Sequence, residues 1–135
     1  MEIANDGVIY ASTSGGLLEF NPEKREFDFI QTKEGLVYLD LNCITLDRFG
    51  RIWMGGSYPN GYLQVYDRNH GLLRKITHLG IIQIDKIVIE DDVAFAIYRG
   101  VTASQIGILM FELDDDGLPE YKDYFSSFSD EHVIT

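Results

Sequence analysis

The side chains able to do chemistry are few and scattered. The chain holds three histidines, His70, His78 and His132, a single cysteine, Cys43, and 22 acidic residues against 11 basic ones. Three histidines without a shared spacing do not supply the convergent imidazoles of a zinc site, and one cysteine excludes both an internal disulfide and a Cys-based zinc site. Cys43 lies in the apolar stretch Leu41-Asn42-Cys43-Ile44-Thr45-Leu46 and reads as a small packed side chain. Asp114-Asp115-Asp116-Gly117 has the acidic density of a calcium loop but lacks the alternating ligand spacing and closing glutamate, so a turn is expected. No Gly-x-Ser-x-Gly elbow occurs, and no His-Asp-Ser set can be placed. With so many acids a facing carboxylate pair always exists somewhere and signals nothing. We therefore expect no catalytic residue, no metal and no cofactor. What remains is recognition. Tyr38, Asp40, Tyr58, Asn60, His78, Tyr98 and Arg99 stand in or beside the segments between apolar runs, and exposed Tyr, Arg and Asn make strong contacts at small interfaces.

The elements that must position these residues are legible around Asp47 to Asp67. This stretch holds a turn at Asp47-Arg48-Phe49-Gly50, a short strand at Arg51-Ile52-Trp53-Met54, a Gly- and Pro-bearing loop from Gly55 to Gly61, and an alternating strand at Tyr62-Leu63-Gln64-Val65-Tyr66. It reads as a β-hairpin, and it repeats. Asn5-Asp6-Gly7-Val8-Ile9-Tyr10 and Gly15 to Asn21 match it upstream; Glu90 to Phe95 and Ile106 to Glu112 match it downstream. Tyr10, Trp53 and Phe95 recur 43 and 42 residues apart, and Phe20, Tyr66 and Phe111 recur 46 and 45 apart. That period suits one four-stranded blade of a β-propeller. An inner strand precedes each turn, at Asn42 to Leu46 and at Asp85 to Ile89. An outer strand follows each hairpin, at Phe27 to Ile30, at Leu73 to Ile76 and at Tyr121 to Tyr124. Asx residues and glycine at Asn21 to Lys24, Asp67 to Gly71 and Asp114 to Gly117 supply the turns before these outer strands. Almost no helix is expected.

The pattern Asp-x-x-Gly-x-Ile-Trp-x-Gly followed by Gly-x-Leu-x-x-Tyr-Asp resembles the blade repeat of the two-component-regulator propellers, closest in the middle copy. The resemblance implies a sensor-type β-propeller in a periplasmic or extracellular part of a bacterial signalling protein, recognising a small molecule, a glycan or a protein. Its loops from Thr13 to Gly15, Ser57 to Asn60 and Arg99 to Gln105, and the connectors Gln31 to Asp40, His78 to Gln83 and Ser126 to Glu131, would open on one face. The candidates named above fall there, His132 falls on the same face, and His70 falls on the opposite one. Each candidate also has a purely structural role to play. Asn60 and Pro59 shape a turn, Tyr58 packs over the neighbouring blade, and Arg99 pairs with a surface carboxylate. For Tyr10, Trp53 and Phe95, packing between blades is expected rather than a stacking platform.

The fold expected is all-β, with blades at about 1–37, 38–80 and 81–127 and the start of a fourth at 128–135. Both ends align with the middle of an inner strand, so the stretch reads as part of a longer array; the alternative is a homodimer in which two chains complete a six-bladed ring. The net charge of -11 argues against nucleic acid and anionic membranes as partners. No apolar run reaches the roughly 18 residues of a membrane span, and the opening residues lack the basic and apolar regions of a signal peptide. A targeting segment would therefore belong to a parent protein. Two other functions stay open: a structural or secretion-associated propeller that docks proteins, and a metal-dependent lyase or lactonase needing a His and acid cluster at the channel mouth, for which only His78 and His132 lie on the right face.

Overall fold

The computed structural model describes residues 1–77, 79–100 and 105–126. His78, His132 and the fourth inner strand expected at 128–135 lie outside the described residues. The chain forms three four-stranded antiparallel sheets, each wound in sequence order from first strand to fourth. Sheet 1 contains β1 (Glu2–Ile3), β2 (Ile9–Thr13), β3 (Gly16–Asn21) and β4 (Glu26–Ile30). Sheet 2 contains β5 (Leu41–Leu46), β6 (Ile52–Gly56), β7 (Tyr62–Asp67) and β8 (Gly71–Ile76). Sheet 3 contains β9 (Gln83–Glu90), β10 (Val93–Arg99), β11 (Ile106–Leu113) and β12 (Pro119–Ser126). Helix among the described residues is limited to one 3-10 turn, Thr32–Glu34.

The repeat is one of register as well as composition. Tyr10 pairs with Glu19, Trp53 with Val65 and Phe95 with Met110, each one place before Phe20, Tyr66 and Phe111 on the neighbouring strand. Because side chains alternate across a strand, the two aromatic series point to opposite faces of their sheets. Tyr10 and Tyr66 are buried in one cluster, with Leu17, Ile30, Ile52 and Met54, between sheets 1 and 2. Trp53 and Phe111 are buried in the other, with Leu63, Val65, Ile84 and Leu109, between sheets 2 and 3. Phe20 and Phe95, at the two outward faces, are only half-buried.

The sheets approach one another through their leading strands, with β1 and β2 against β5, and β5, β6 and β7 against β9. Glycine makes the second approach as close as it is. A Cβ on Gly55 would lie 2.6 Å from Cγ2 of Ile84 and 3.0 Å from Sγ of Cys43. Polar contacts reinforce both junctions. Arg68 meets Glu19 at 2.6 Å between sheets 1 and 2. Arg51 donates to the carbonyls of Asp116 and Gly117 at 2.8 and 2.9 Å, and Arg74 donates to the Pro119 carbonyl at 2.8 Å and the Asp114 carboxylate at 3.0 Å, between sheets 2 and 3. No helix among the described residues is long and apolar enough to cross a membrane.

Candidate functional site

A hollow of about 440 Å³ opens between sheet 3 and the connector that enters it, with Leu79, Ile81 and Leu109 as apolar lining and Tyr98, Tyr121 and Tyr124 around them. Gln105 and Ser126 add polar groups to its wall. The tyrosines are fixed by the strands that carry them. Tyr98 is the penultimate residue of β10 and pairs across the sheet with Gly107, whose missing side chain leaves room for the ring: a Cβ there would meet the Tyr98 hydroxyl at 2.6 Å. The same device appears reversed in sheet 2, where Gly56 on β6 faces Tyr62 on β7. Tyr121 stands edge-on to Phe111 with centroids 5.9 Å apart, so a buried core ring braces a ring of the hollow.

Tyr121 and Tyr124 reach the same face through a bulge. Phe111 pairs with Tyr121 but Met110 pairs with Asp123, so Lys122 is the extra residue and Tyr124 comes opposite Leu109. Burial, then the charge of Asp123 and the neighbouring Tyr124 and Tyr98, raise the Tyr121 phenol above its ordinary range. Its hydroxyl stays protonated at neutral pH and can both donate and accept a hydrogen bond. Such a lining offers flat apolar faces rimmed with hydroxyl and amide groups.

The residues expected to bind ligand from sequence are not gathered in this hollow. Tyr98 lines it, but with 6% exposure it is a core residue rather than the exposed side chain expected. Tyr38 stacks on Tyr62 at 4.3 Å, and its backbone is held in both directions by the buried amide of Gln64, which donates to the Tyr38 carbonyl at 2.8 Å. The Asp40 carbonyl accepts from the Tyr62 hydroxyl at 2.8 Å. Tyr58 is 72% exposed and does not pack over a neighbouring sheet; Asn60 is exposed beside it. Arg99 pairs with Asp85 at 2.9 Å, and Gln83 donates to the other oxygen of the same carboxylate. His78 lies outside the described residues. Tyr121 and Tyr124 line the hollow, and the sequence shows them only as part of an outer strand.

The loops considered for metal or hydrolytic chemistry have other occupations. Asp114 Oδ1 accepts from the backbone of Asp116 and of Leu118, both at 2.9 Å, which makes Asp114 to Gly117 a capped turn. Among the described residues no three His, Cys, Asp or Glu side chains come together as a metal-ion set. Burial, only partly offset by a backbone hydrogen bond at Gly55, pushes the Cys43 thiol up to about 11, so it is no nucleophile near neutral pH. Compared with known protein families, with characterised proteins and with solved structures, the chain has no match.

Proposed function

We propose that the three sheets are blades of a β-propeller and that the chain is a non-catalytic binding module whose ligand is a glycan. The observation that supports the ligand class is the convergence of Tyr98, Tyr121 and Tyr124 on one hollow of about 440 Å³ with Gln105 and Ser126 in its wall. The volume suits one or two sugar rings, and tyrosine stacks on the apolar face of a pyranose while its hydroxyl bonds to the sugar edge. The four-strand repeat with its aromatic register supports the propeller reading. The resemblance of the middle repeat to the two-component-regulator propellers supports a sensing role, in which a periplasmic or extracellular module passes occupancy to neighbouring domains. Rigid strands carrying the ring groups, with the Gln105 and Ser126 polar groups beside them, fit a receptor that presents preformed contacts.

The test is ligand-observed NMR with a panel of neutral mono- and disaccharides, run on the wild-type chain and on the Tyr121→Ala/Tyr124→Ala variant. Saturation transfer to at least one sugar, lost in the variant while its circular dichroism is unchanged, is the expected result. No transfer to any sugar, or equal transfer to both proteins, overturns the glycan reading.

A further inference from the structure

We infer that the two outward sheet faces of this chain are the halves of a third junction, and that a second copy of the chain occupies them head to tail to form a closed dimer. Every sheet has one face turned toward the sheet before it and one toward the sheet after it. Both internal junctions are built alike. The following face of sheet 1 meets the preceding face of sheet 2, bringing Tyr10 and Tyr66 into one cluster. The following face of sheet 2 meets the preceding face of sheet 3, bringing Trp53 and Phe111 into the other. Two faces remain, and they are one of each kind. Sheet 1 presents Ile9, Leu18, Phe20, Phe27 and Phe29, with Phe27 63% and Phe29 53% exposed. Sheet 3 presents Val88, Phe95, Ile97, Ile108 and Met110, with Val88 42% exposed, and around them on the same face Lys86, Glu90, Glu112 and Asp123.

The apolar centres of these two faces match. The position filled by the charged pair Glu19 and Arg68 at the first junction is filled by Val65 and Leu113 in the apolar cluster of the second. In the third it would hold Met110 and Pro22, again apolar against apolar. Phe95 and Phe20 would take the places of Trp53 and Phe111. The sheet 3 face also carries Lys86 opposite Ile97, Glu90 and Glu112 on either side of Val93, and Asp123 opposite Met110, so docking requires these side chains to extend to solvent at the rim of the junction. Four strands about 4.8 Å apart and five residues of about 3.4 Å rise give each face roughly 330 Å². A closed pair has two such junctions and covers four faces, roughly 1,300 Å², within the range of stable interfaces. A head-to-tail contact also leaves both faces satisfied only when it closes, as two chains of three sheets would in a six-sheet ring.

The test is light scattering on a sizing column across a dilution series, with two variants and their mixture. Phe27→Lys/Phe29→Lys blocks the sheet 1 face at exposed positions, and Phe95→Lys blocks the sheet 3 face; Val88→Lys replaces the latter if it does not fold. The wild-type chain is expected at twice the chain mass at micromolar concentration. Each variant alone is expected as a monomer, with dimer dissociation at least a hundredfold weaker, and an equimolar mixture of the two is expected to recover a heterodimer through the single junction that both leave intact. A monomeric wild type up to about 100 µM overturns the proposal and points to further sheets of a longer chain as the occupant. A single-face variant that stays dimeric also overturns it, since like faces would then be pairing. Neither result depends on whether the hollow binds sugar.

Discussion

The indole nitrogen of Trp53 donates a hydrogen bond of 2.9 Å to Oδ2 of Asp47, tying the buried centre of sheet 2 to the turn that starts its hairpin. The same oxygen takes Nε of Arg51 at 2.6 Å, while Oδ1 takes the backbone N–H groups of Phe49 and Arg51, each at 2.9 Å. One carboxylate therefore satisfies four donors. This explains physically the spacing of Asp47, Gly50 and Trp53 in the middle repeat: Asp47 closes the turn, Gly50 supplies its positive φ of 79°, and Trp53 is held by the turn while filling the junction with sheet 3.

Replacing Asp47 with alanine strips those donors of their acceptor where the side chains of Asp47 and Arg51 are 4% and 8% exposed. Arg51 keeps the carbonyls of Asp116 and Gly117, so the cost falls at the low end for a broken buried pair, about 3 kcal/mol. Asp47→Asn keeps an acceptor and should cost about half as much. Guanidinium unfolding followed by Trp53 fluorescence measures both; an alanine variant within about 0.5 kcal/mol of wild type would contradict this role for the carboxylate.

Cys43 predicts an alkaline limb in stability. Its thiol is raised from 9.0 to about 11, first by burial. Above pH 9 the unfolded chain ionises the thiol while the folded chain keeps it protonated, so stability is full below pH 9 and falls as pH rises to about 11. The fall should reach about 2 kcal/mol. Cys43→Ala should flatten that part of a melting-temperature profile, and a thiol-reactive dye at pH 8 should label the native protein far more slowly than the unfolded one. Rapid native labelling would show that the thiol is open to solvent and not held in the junction.

The strand ladder was legible because hairpin turns and aromatic spacing are local signals, and both aromatic series sit where their period puts them. The hollow was not, for a reason that can be named. In a regular strand Tyr121 and Tyr124, three residues apart, point to opposite faces. The bulge at Lys122 brings them to one face, and a bulge depends on partner strands rather than on the strand's own sequence. The burial of Tyr98 was hidden likewise, because it depends on Gly107 across the sheet. The spacing Gly-Ser-Tyr-Pro-Asn-Gly did place Tyr58 and Asn60 in an exposed loop. What it did not contain was any information on whether that loop meets a ligand surface.

Gly55 gives a test of junction tightness. Its alanine variant would set a methyl 2.6 Å from Ile84 Cγ2 and 3.0 Å from Cys43 Sγ, and Ile84 is fully buried. Gly55 needs no positive φ, so the cost is overpacking alone, about 1–3 kcal/mol. Gly15→Ala is the control, since a Cβ there meets nothing within 4 Å. A change within about 0.5 kcal/mol is expected for the control. Equal unfolding midpoints for the two variants would mean that sheets 2 and 3 are not packed as closely as this geometry requires.

Asp114 predicts the acid limb. Its carboxyl lies below the ordinary 3.8, chiefly through the Leu118 backbone N–H, which outweighs the opposing effect of burial, and then through the Arg74 guanidinium and the Asp116 N–H. A depressed carboxylate stabilises the fold fully above its unfolded value, and that contribution is lost as pH falls through the folded one. Asp114→Asn removes the charge that Arg74 pairs with at 3.0 Å and so loosens the contact between β8 and the turn before β12. Melting temperatures of wild type and variant should therefore differ most near pH 6 and converge as pH drops from 3.8 toward 2, because the wild-type group is then neutral too. A gap that stays constant over this range would assign the effect to the shape of the turn rather than to its charge, and Arg74 would have to find its stabilising partner in the Pro119 carbonyl alone.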